Sequence, residues 1–314
     1  MNGPVTGQGA GPGVGPPRGG RTVLAVWTRR PLHPAALTRR ESARFAALTG
    51  RVRREQWLIA RHALRTLLGI LGLPADTTAY AFPHRRLSLS HVGGAAVAAG
   101  LAVPDARVAG VGVDLETARE ARAGTARFFL GDRERSWLES VPEPIRAGEH
   151  VRLWTVKEAL FKADPDNRHT VLRDYTTDDP AAGSGSAHRR ATAAPPHAAA
   201  FGYTAVRLGD ARLAVAVSSV PPLPVPRPSL PPVRTVTVPS VTFDDVAHRI
   251  SATLSVPVDT LTPETRLRDL AADSFLLVEM AVDLQEEFDA LFTQADLREV
   301  TTLGQLAGLV GAQP

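Results

Sequence analysis

The sequence predicts an α+β body followed by a small all-α domain, on three observations. From about residue 22 to residue 220, β-branched apolar runs alternate with apolar residues at helical spacing. A stretch over 221–240 is then so rich in proline that helix and strand are not expected there. Beyond residue 241 only helical spacing recurs.

Taken in order, residues 1–21 are rich in glycine and proline, lack the apolar core of a signal peptide and read as a disordered tail. Their glycines follow no strand, so they are not read as a nucleotide-binding loop. Strands are expected at 22–27, 87–90, 95–99, 108–115 and 213–218. A helix is expected where Trp57, Leu58, Ala60, Ala63, Leu64, Leu67 and Leu68 share one face, ending near Gly69 or Gly72 before Pro74. Further helices are expected at 128–138 and 151–162, and the stretch 164–200 reads mostly as loop around a short strand. As a semi-rigid spacer at ~3.1 Å per residue, the proline segment spans up to roughly 60 Å. The C-terminal domain, 241–314, shows helical patterns at 243–254, 274–288 and 303–310, with a shorter one near 294–300. No internal repeat is evident from sequence identity.

The chain has 314 residues, suiting two or three domains, and its 44% hydrophobic content is enough for real cores. It has no cysteine, which excludes a disulfide framework and thiolate metal sites and fits a cytoplasmic location. No apolar run approaches the ~20 residues needed to span a bilayer, so no membrane partner is expected. The net charge of +4 hides an asymmetry: from residue 241 onward there are 4 Arg against 13 Asp and Glu, leaving about −9 there and about +13 on the rest. Such a body attracts either the acidic domain or an anionic ligand. Nucleic acid is not expected, because the arginines are scattered without aromatic interleaving or a reader motif.

Asp114 and Glu116 lie two apart in a strand-like run, so both carboxylates project from one face. Such a pair suits a hard cation that also binds phosphates, such as Mg²⁺; the plainer alternative is a polar strand end. Glu158 and Lys162 are spaced i,i+4 on one helix, with Lys157 adjacent, which a surface ion pair would also explain. Trp154, Leu160 and Phe161 pack that helix inward on either reading.

Together the segments Gly110-Val-Gly-Val-Asp-Leu-Glu116 and Trp154-Thr-Val-Lys-Glu-Ala-Leu-Phe-Lys162 resemble the two signature motifs of the Sfp-type 4'-phosphopantetheinyl transferases. Ser88-Leu-Ser-His91-Val-Gly-Gly94 is similar to that family's Ser-His segment, and Arg127-Phe-Phe129 to a stretch before its second motif. The resemblance covers residues 22–220 and implies a pseudo-dimer of two α/β halves, about 22–115 and 116–220, with coenzyme A at their junction. It implies Mg²⁺ on Asp114, Glu116 and Glu158, coenzyme A phosphates on Ser90 and His91, and its diphosphate on Lys157 and Lys162. Basic contacts to coenzyme A are implied for the cluster Arg51, Arg53 and Arg54. One departure is that the family's Gly-Lys-Pro segment is replaced by Tyr80-Ala-Phe-Pro-His-Arg-Arg86, where His84, Arg85 and Arg86 are the candidates to compensate.

Ser274 opens an amphipathic pattern in which Leu277, Val278, Ala281, Leu284 and Phe288 form one stripe, while Glu279, Asp283, Glu286 and Glu287 are expected on the exposed side. Helix capping is the plain reading of such a serine. The stretch Leu270-Ala-Ala-Asp-Ser-Phe-Leu-Leu-Val-Glu-Met280 also resembles the modification motif of acyl and peptidyl carrier proteins, with Phe275 in place of the usual leucine and Ala271-Ala272 in place of Gly plus an apolar residue. Thr301-Thr-Leu-Gly-Gln-Leu306 is similar to the start of their last helix. That resemblance implies a four-helix bundle whose Ser274 carries 4'-phosphopantetheine covalently.

The expectation is a transferase fused to its own carrier. Ser274 would attack coenzyme A with Glu158 and Lys162 as catalytic groups, and the carrier would be loaded in cis or in trans. The loaded arm would hold acyl or aminoacyl thioesters for a specialised-metabolite pathway, with other carriers and biosynthetic enzymes as further partners at the acidic helix. The alternative is a carrier protein whose transferase-like part is an inactive scaffold, loaded by another enzyme.

Overall fold

The computed structural model describes residues 22–117, 124–190, 200–219, 242–254, 256–270, 280–281, 283–284, 287–288 and 300–311. It forms an α+β body with two antiparallel sheets and a helical C-terminal region.

The first sheet has the order β1-β3-β2, from β1 (Val23–Thr28), β2 (Leu87–Val92) and β3 (Ala95–Leu101). A two-residue turn joins β2 to β3, and both its glycines, Gly93 and Gly94, have positive φ (42° and 83°), the geometry such hairpins favour. Between β1 and β2 run α1 (Arg39–Ala46) and α2 (Arg51–Ile70). Of the apolar stripe expected on α2, Leu58, Ala60, Ala63, Leu64, Leu67 and Leu68 are buried, joined by Ile59, whereas Trp57 is half-buried. Leu64, Leu67 and Leu68 belong to the cluster that includes Leu87, Ala96 and Ala98 of the sheet. Helix α1 was not evident from apolar spacing, because its only buried residue is Glu41. What starts it is polar, a capping box between Thr38 and Glu41.

The second sheet has the order β4-β8-β7-β6-β5, from β4 (Val108–Thr117), β5 (Tyr175–Thr177), β6 (Ser184–Arg189), β7 (Ala200–Leu208) and β8 (Ala211–Ser219). By its ladder with β8, β4 belongs to this second half, so the boundary falls before Val108 rather than near residue 115. Among the described residues three α-helices intervene: α3 (Ala126–Phe129), α4 (Asp132–Ser140) and α5 (Glu143–Ala163). The single helix expected at 128–138 is thus two, parted at Leu130 and Gly131, whose backbone is extended. Helix α5 starts two turns before its apolar pattern because Pro142 precedes it and its opening turns are polar, with Ile145 exposed. The stretch 164–200 holds more strand than expected; β6 exposes most of its short polar residues and so shows no alternation.

The C-terminal region contains α6 (Phe243–Leu254), α7 (Leu267–Leu270) and α8 (Leu303–Gly311), with helical residues at 280–281, 283–284 and 287–288. Val246, Ile250, Met280, Ala281, Leu284, Leu303, Leu306 and Val310 form its core. Asp283, expected on the exposed side, is buried: Arg249 on α6 donates two 2.8 Å hydrogen bonds to its two carboxylate oxygens. Ser274 and the pattern at 294–299 lie outside the described residues. Among the described residues no helix is long and apolar enough to cross a membrane.

Candidate active site

The two sheets adjoin at their edge strands β2 and β4, and side chains join them there. Ser88 on β2 accepts a 2.9 Å hydrogen bond from the backbone N–H of Val113, and Ser90 donates one of 2.8 Å to Asp114 Oδ1. On β4, Val111, Val113 and Leu115 face one core, so Gly110, Gly112, Asp114 and Glu116 share the opposite side. Helix α5 lies against that side, with the Ala159 and Ala163 backbone where side chains at Gly112 and Gly110 would stand. The glycines therefore set how closely α5 approaches, and with it the distance from Glu158 and Lys162 to Asp114.

The result is a compact charged group. Lys162 Nζ lies 2.6 Å from Asp114 Oδ1, 3.3 Å from Ser90 Oγ and 3.9 Å from Glu158 Oε2. Asp114, Glu116 and Glu158 are all buried, whereas the Lys162 side chain retains 28% exposure. Burial alone would depress the Lys162 ammonium, but Asp114 and Glu158, then the Asp114 hydrogen bond and Glu116, hold it above the ordinary lysine value. Lys162 also lines a cleft of about 240 Å³ together with Phe82, Pro83, His84, Phe161 and Asn167.

The expected cage of three carboxylates is not preformed. Among the described residues no three acidic or histidine side chains are gathered as a metal-binding group, and an ammonium already bonds Asp114. The donor set still fits a hard cation: Asp114 Oδ2 is buried and accepts no hydrogen bond, leaving oxygen lone pairs at the site.

Lys157 is not brought to this group. It is fully buried, donates a 2.6 Å bond to Glu134 Oε2 and a second bond to the carbonyl of Tyr175, and burial lowers its pKa against the pull of Glu134. One residue along a helix is ~100° around its axis, which is why neighbours in sequence serve different sites. The cluster at the start of α2 is also engaged elsewhere: Arg53 pairs with Asp269 at 2.5 Å, and Arg54 bonds the Leu48 carbonyl with its guanidinium over Phe45. Arg51 is exposed on the first residue of the helix, and His91, exposed on β2, follows Ser90. Of the residues that could replace Gly-Lys-Pro, His84 lines the cleft, its pKa lowered by burial and then by Arg86. Arg85 instead holds the chain entering β4, bonding the carbonyls of Ala106 and Val108 at 2.7 Å each.

Two family models match this chain. The 4'-phosphopantetheinyl transferase superfamily matches residues 110–216, which include Asp114, Glu116, Glu158 and Lys162, and the phosphopantetheine attachment site matches residues 244–310. The acyl carrier protein of Thermotoga maritima is 35% identical over 69 residues, covering 22% of this chain and 85% of that protein. The chain joins a domain of the 4'-phosphopantetheinyl transferase superfamily to an acyl carrier domain behind it. In this transferase–carrier fusion the match begins at Gly110, so the charged group at the seam lies within the transferase domain apart from Ser90, which β2 contributes. The Arg53–Asp269 pair joins the first half of the body to the carrier domain.

Proposed function

We propose that this chain is a Sfp-type transferase that moves the 4'-phosphopantetheine arm of coenzyme A onto Ser274 of its own carrier domain. The observation that carries the reading is the junction of Lys162 with Asp114, Glu158 and Ser90 at the seam, where an anionic diphosphate meets both signs of charge. Ser274 Oγ forms a bond to the phosphorus attached to pantetheine, the bond from that phosphorus to the bridging oxygen breaks, and adenosine 3',5'-bisphosphate leaves. The hydroxyl proton passes to a base, for which Glu158 is the proposed carboxylate. Lys162 stabilises the charge developing on the diphosphate, at an ammonium already held protonated. Asp114, Glu116 and Glu158 are the proposed holders of Mg²⁺, which when bound neutralises phosphate charge. Ser90 and His91 are the proposed phosphate contacts, and the cleft beside Lys162, with His84 on its wall, takes the part of coenzyme A beyond the diphosphate.

The linker makes loading in cis feasible, raising the effective carrier concentration to the mM range, and the Arg53–Asp269 pair supports a body that receives its own carrier. The loaded carrier then holds acyl or aminoacyl thioesters for a dedicated biosynthetic pathway, consistent with one enzyme fused to one carrier. The test is intact mass after incubating the purified apo chain with Mg²⁺ and coenzyme A. A phosphopantetheine gain that disappears in Ser274→Ala and in Glu158→Ala is expected. No gain in the wild type, while an unrelated transferase loads Ser274, would instead identify an inactive scaffold.

A further inference from the structure

The two halves of the body share a buried device that identity between their sequences does not reveal. In the first, Glu41 is the third residue of α1, and its Oε2 accepts the Thr38 N–H at 2.9 Å and a bond from Arg65. Its Oε1 accepts the Thr77 N–H at 3.1 Å and the Thr77 hydroxyl at 2.5 Å. In the second, Glu134 is the third residue of α4, and its Oε2 accepts the Gly131 N–H at 3.0 Å and the Lys157 ammonium at 2.6 Å. Its Oε1 accepts the Thr177 N–H at 3.1 Å and the Thr177 hydroxyl at 3.0 Å. Arg65 and Lys157 each lie fourteen residues beyond the first residue of their long helix, at 65 from 51 and at 157 from 143. They follow their glutamates by 24 and 23 residues. In both halves the first strand also pairs with the last, β1 with β3 and β4 with β8.

The correspondence gives Lys157 the place of Arg65, a cation in a half that lacks the acidic group. Where the second half has Glu158 and Lys162, the first has Thr66 and Ile70 at the matching helix positions, both exposed. A cation at this position is thus common to both halves, whereas the positions of Glu158 and Lys162 carry no charge in the first. We propose that Lys157 is a positioning residue: through its buried pair with Glu134 it fixes the rotation of α5 from which Glu158 and Lys162 reach Asp114. Lys157 is fully buried, so a coenzyme A phosphate does not reach it. Its bonds tie α5 to the start of α4 and to β5, on the side away from the glycine face of β4. With ~100° per residue, a helix clamped at 157 has its next residue clamped too, and 162 little more than one turn on.

This assignment rests on the transferase reading above, and the test separates the two. Single-turnover loading of Ser274 is measured on the full chain at saturating Mg²⁺ across coenzyme A concentrations. For Lys157→Met and Glu134→Gln the maximal rate is expected to fall about tenfold or more, while the half-saturating coenzyme A concentration stays within about twofold. The double variant is expected to be no slower than the slower single one, because both act through one pair. The milder Thr177→Val, which removes one donor to Glu134, is expected to give a smaller fall of the same kind. A half-saturation that rises about tenfold in Lys157→Met but not in Glu134→Gln would make Lys157 a phosphate contact and overturn the assignment. Wild-type rates in all three variants would overturn it as well. Amide exchange over residues 155–163 reads the same clamp without turnover, so it decides even for a chain that loads nothing: faster exchange in Glu134→Gln is expected, and unchanged protection overturns the proposal.

Discussion

Gly112 rests against the main chain of Ala159: a Cβ at Gly112 would stand 1.9 Å from the Ala159 carbonyl oxygen, closer than any real contact. One turn along α5, a Cβ at Gly110 would stand 2.3 Å from the carbonyl oxygen of Ala163. Backbone cannot yield as a side-chain tip does, so Gly112→Ala must push α5 away from β4, carrying Glu158 and Lys162 with it. Loss of about 1–3 kcal/mol of stability is expected, with loading slowed about a hundredfold by a shift of order 1 Å. Gly202→Ala is the control, since a Cβ there meets nothing within 4 Å. Thermal unfolding and an intact-mass time course on both variants check this.

Asp114 bonds Lys162 through Oδ1 and leaves Oδ2 buried without a donor. Asp114→Asn keeps the shape but replaces an oxygen lone pair and a charge at the atom where a cation is proposed to bind. A chelator is expected to abolish loading in the wild type and added Mg²⁺ to restore it, while Asp114→Asn stays at least about a hundredfold slower at any Mg²⁺ concentration. Normal activity in the chelated wild type would remove the metal from the mechanism.

Much of this was legible from residue types alone. Period-2 spacing placed Asp114 and Glu116 on one face, and i,i+4 spacing put Glu158 beside Lys162. The place of Lys157 is not legible there, because its partner Glu134 lies 23 residues away and no local pattern encodes a pairing across that distance. Periodicity places Asp283 on the surface, yet Arg249, 34 residues earlier, lets it be buried. The role of Gly110 and Gly112 needed the helix that crosses them. Strand β6 escapes because it exposes most of its short polar residues and so lacks the alternation that marks a strand.

Arg53 and Asp269 are each about half exposed, at 45% and 46% of their side-chain surface, so in the proposed loading their pair guides the carrier rather than anchoring it. Arg53→Glu is expected to slow loading up to about fivefold at low ionic strength, with the difference fading at high salt as screening sets in. Adding Asp269→Arg to Arg53→Glu restores the attraction with reversed sign and is expected to recover the rate. A charge-swapped chain no faster than Arg53→Glu, measured by single-turnover loading at two salt concentrations, would mean the pair has no part in carrier approach.

His150, on the same helix as Glu158, is buried against the Phe129 ring at 5.2 Å between centroids, and burial pushes its pKa down to about 4. The folded chain thus keeps this imidazole neutral where the unfolded chain, with the ordinary value near 6.5, takes up a proton. Because the unfolded state binds more protons between about pH 6.5 and pH 4, stability falls as pH falls through that window, by about 3 kcal/mol in all. His150→Gln removes the titration, and its stability is expected to decline correspondingly less over the same range. Urea unfolding at pH 7, 6, 5 and 4 on both chains measures the difference. Parallel declines would show that His150 is protonated equally well in the folded state, and so is not held neutral by burial.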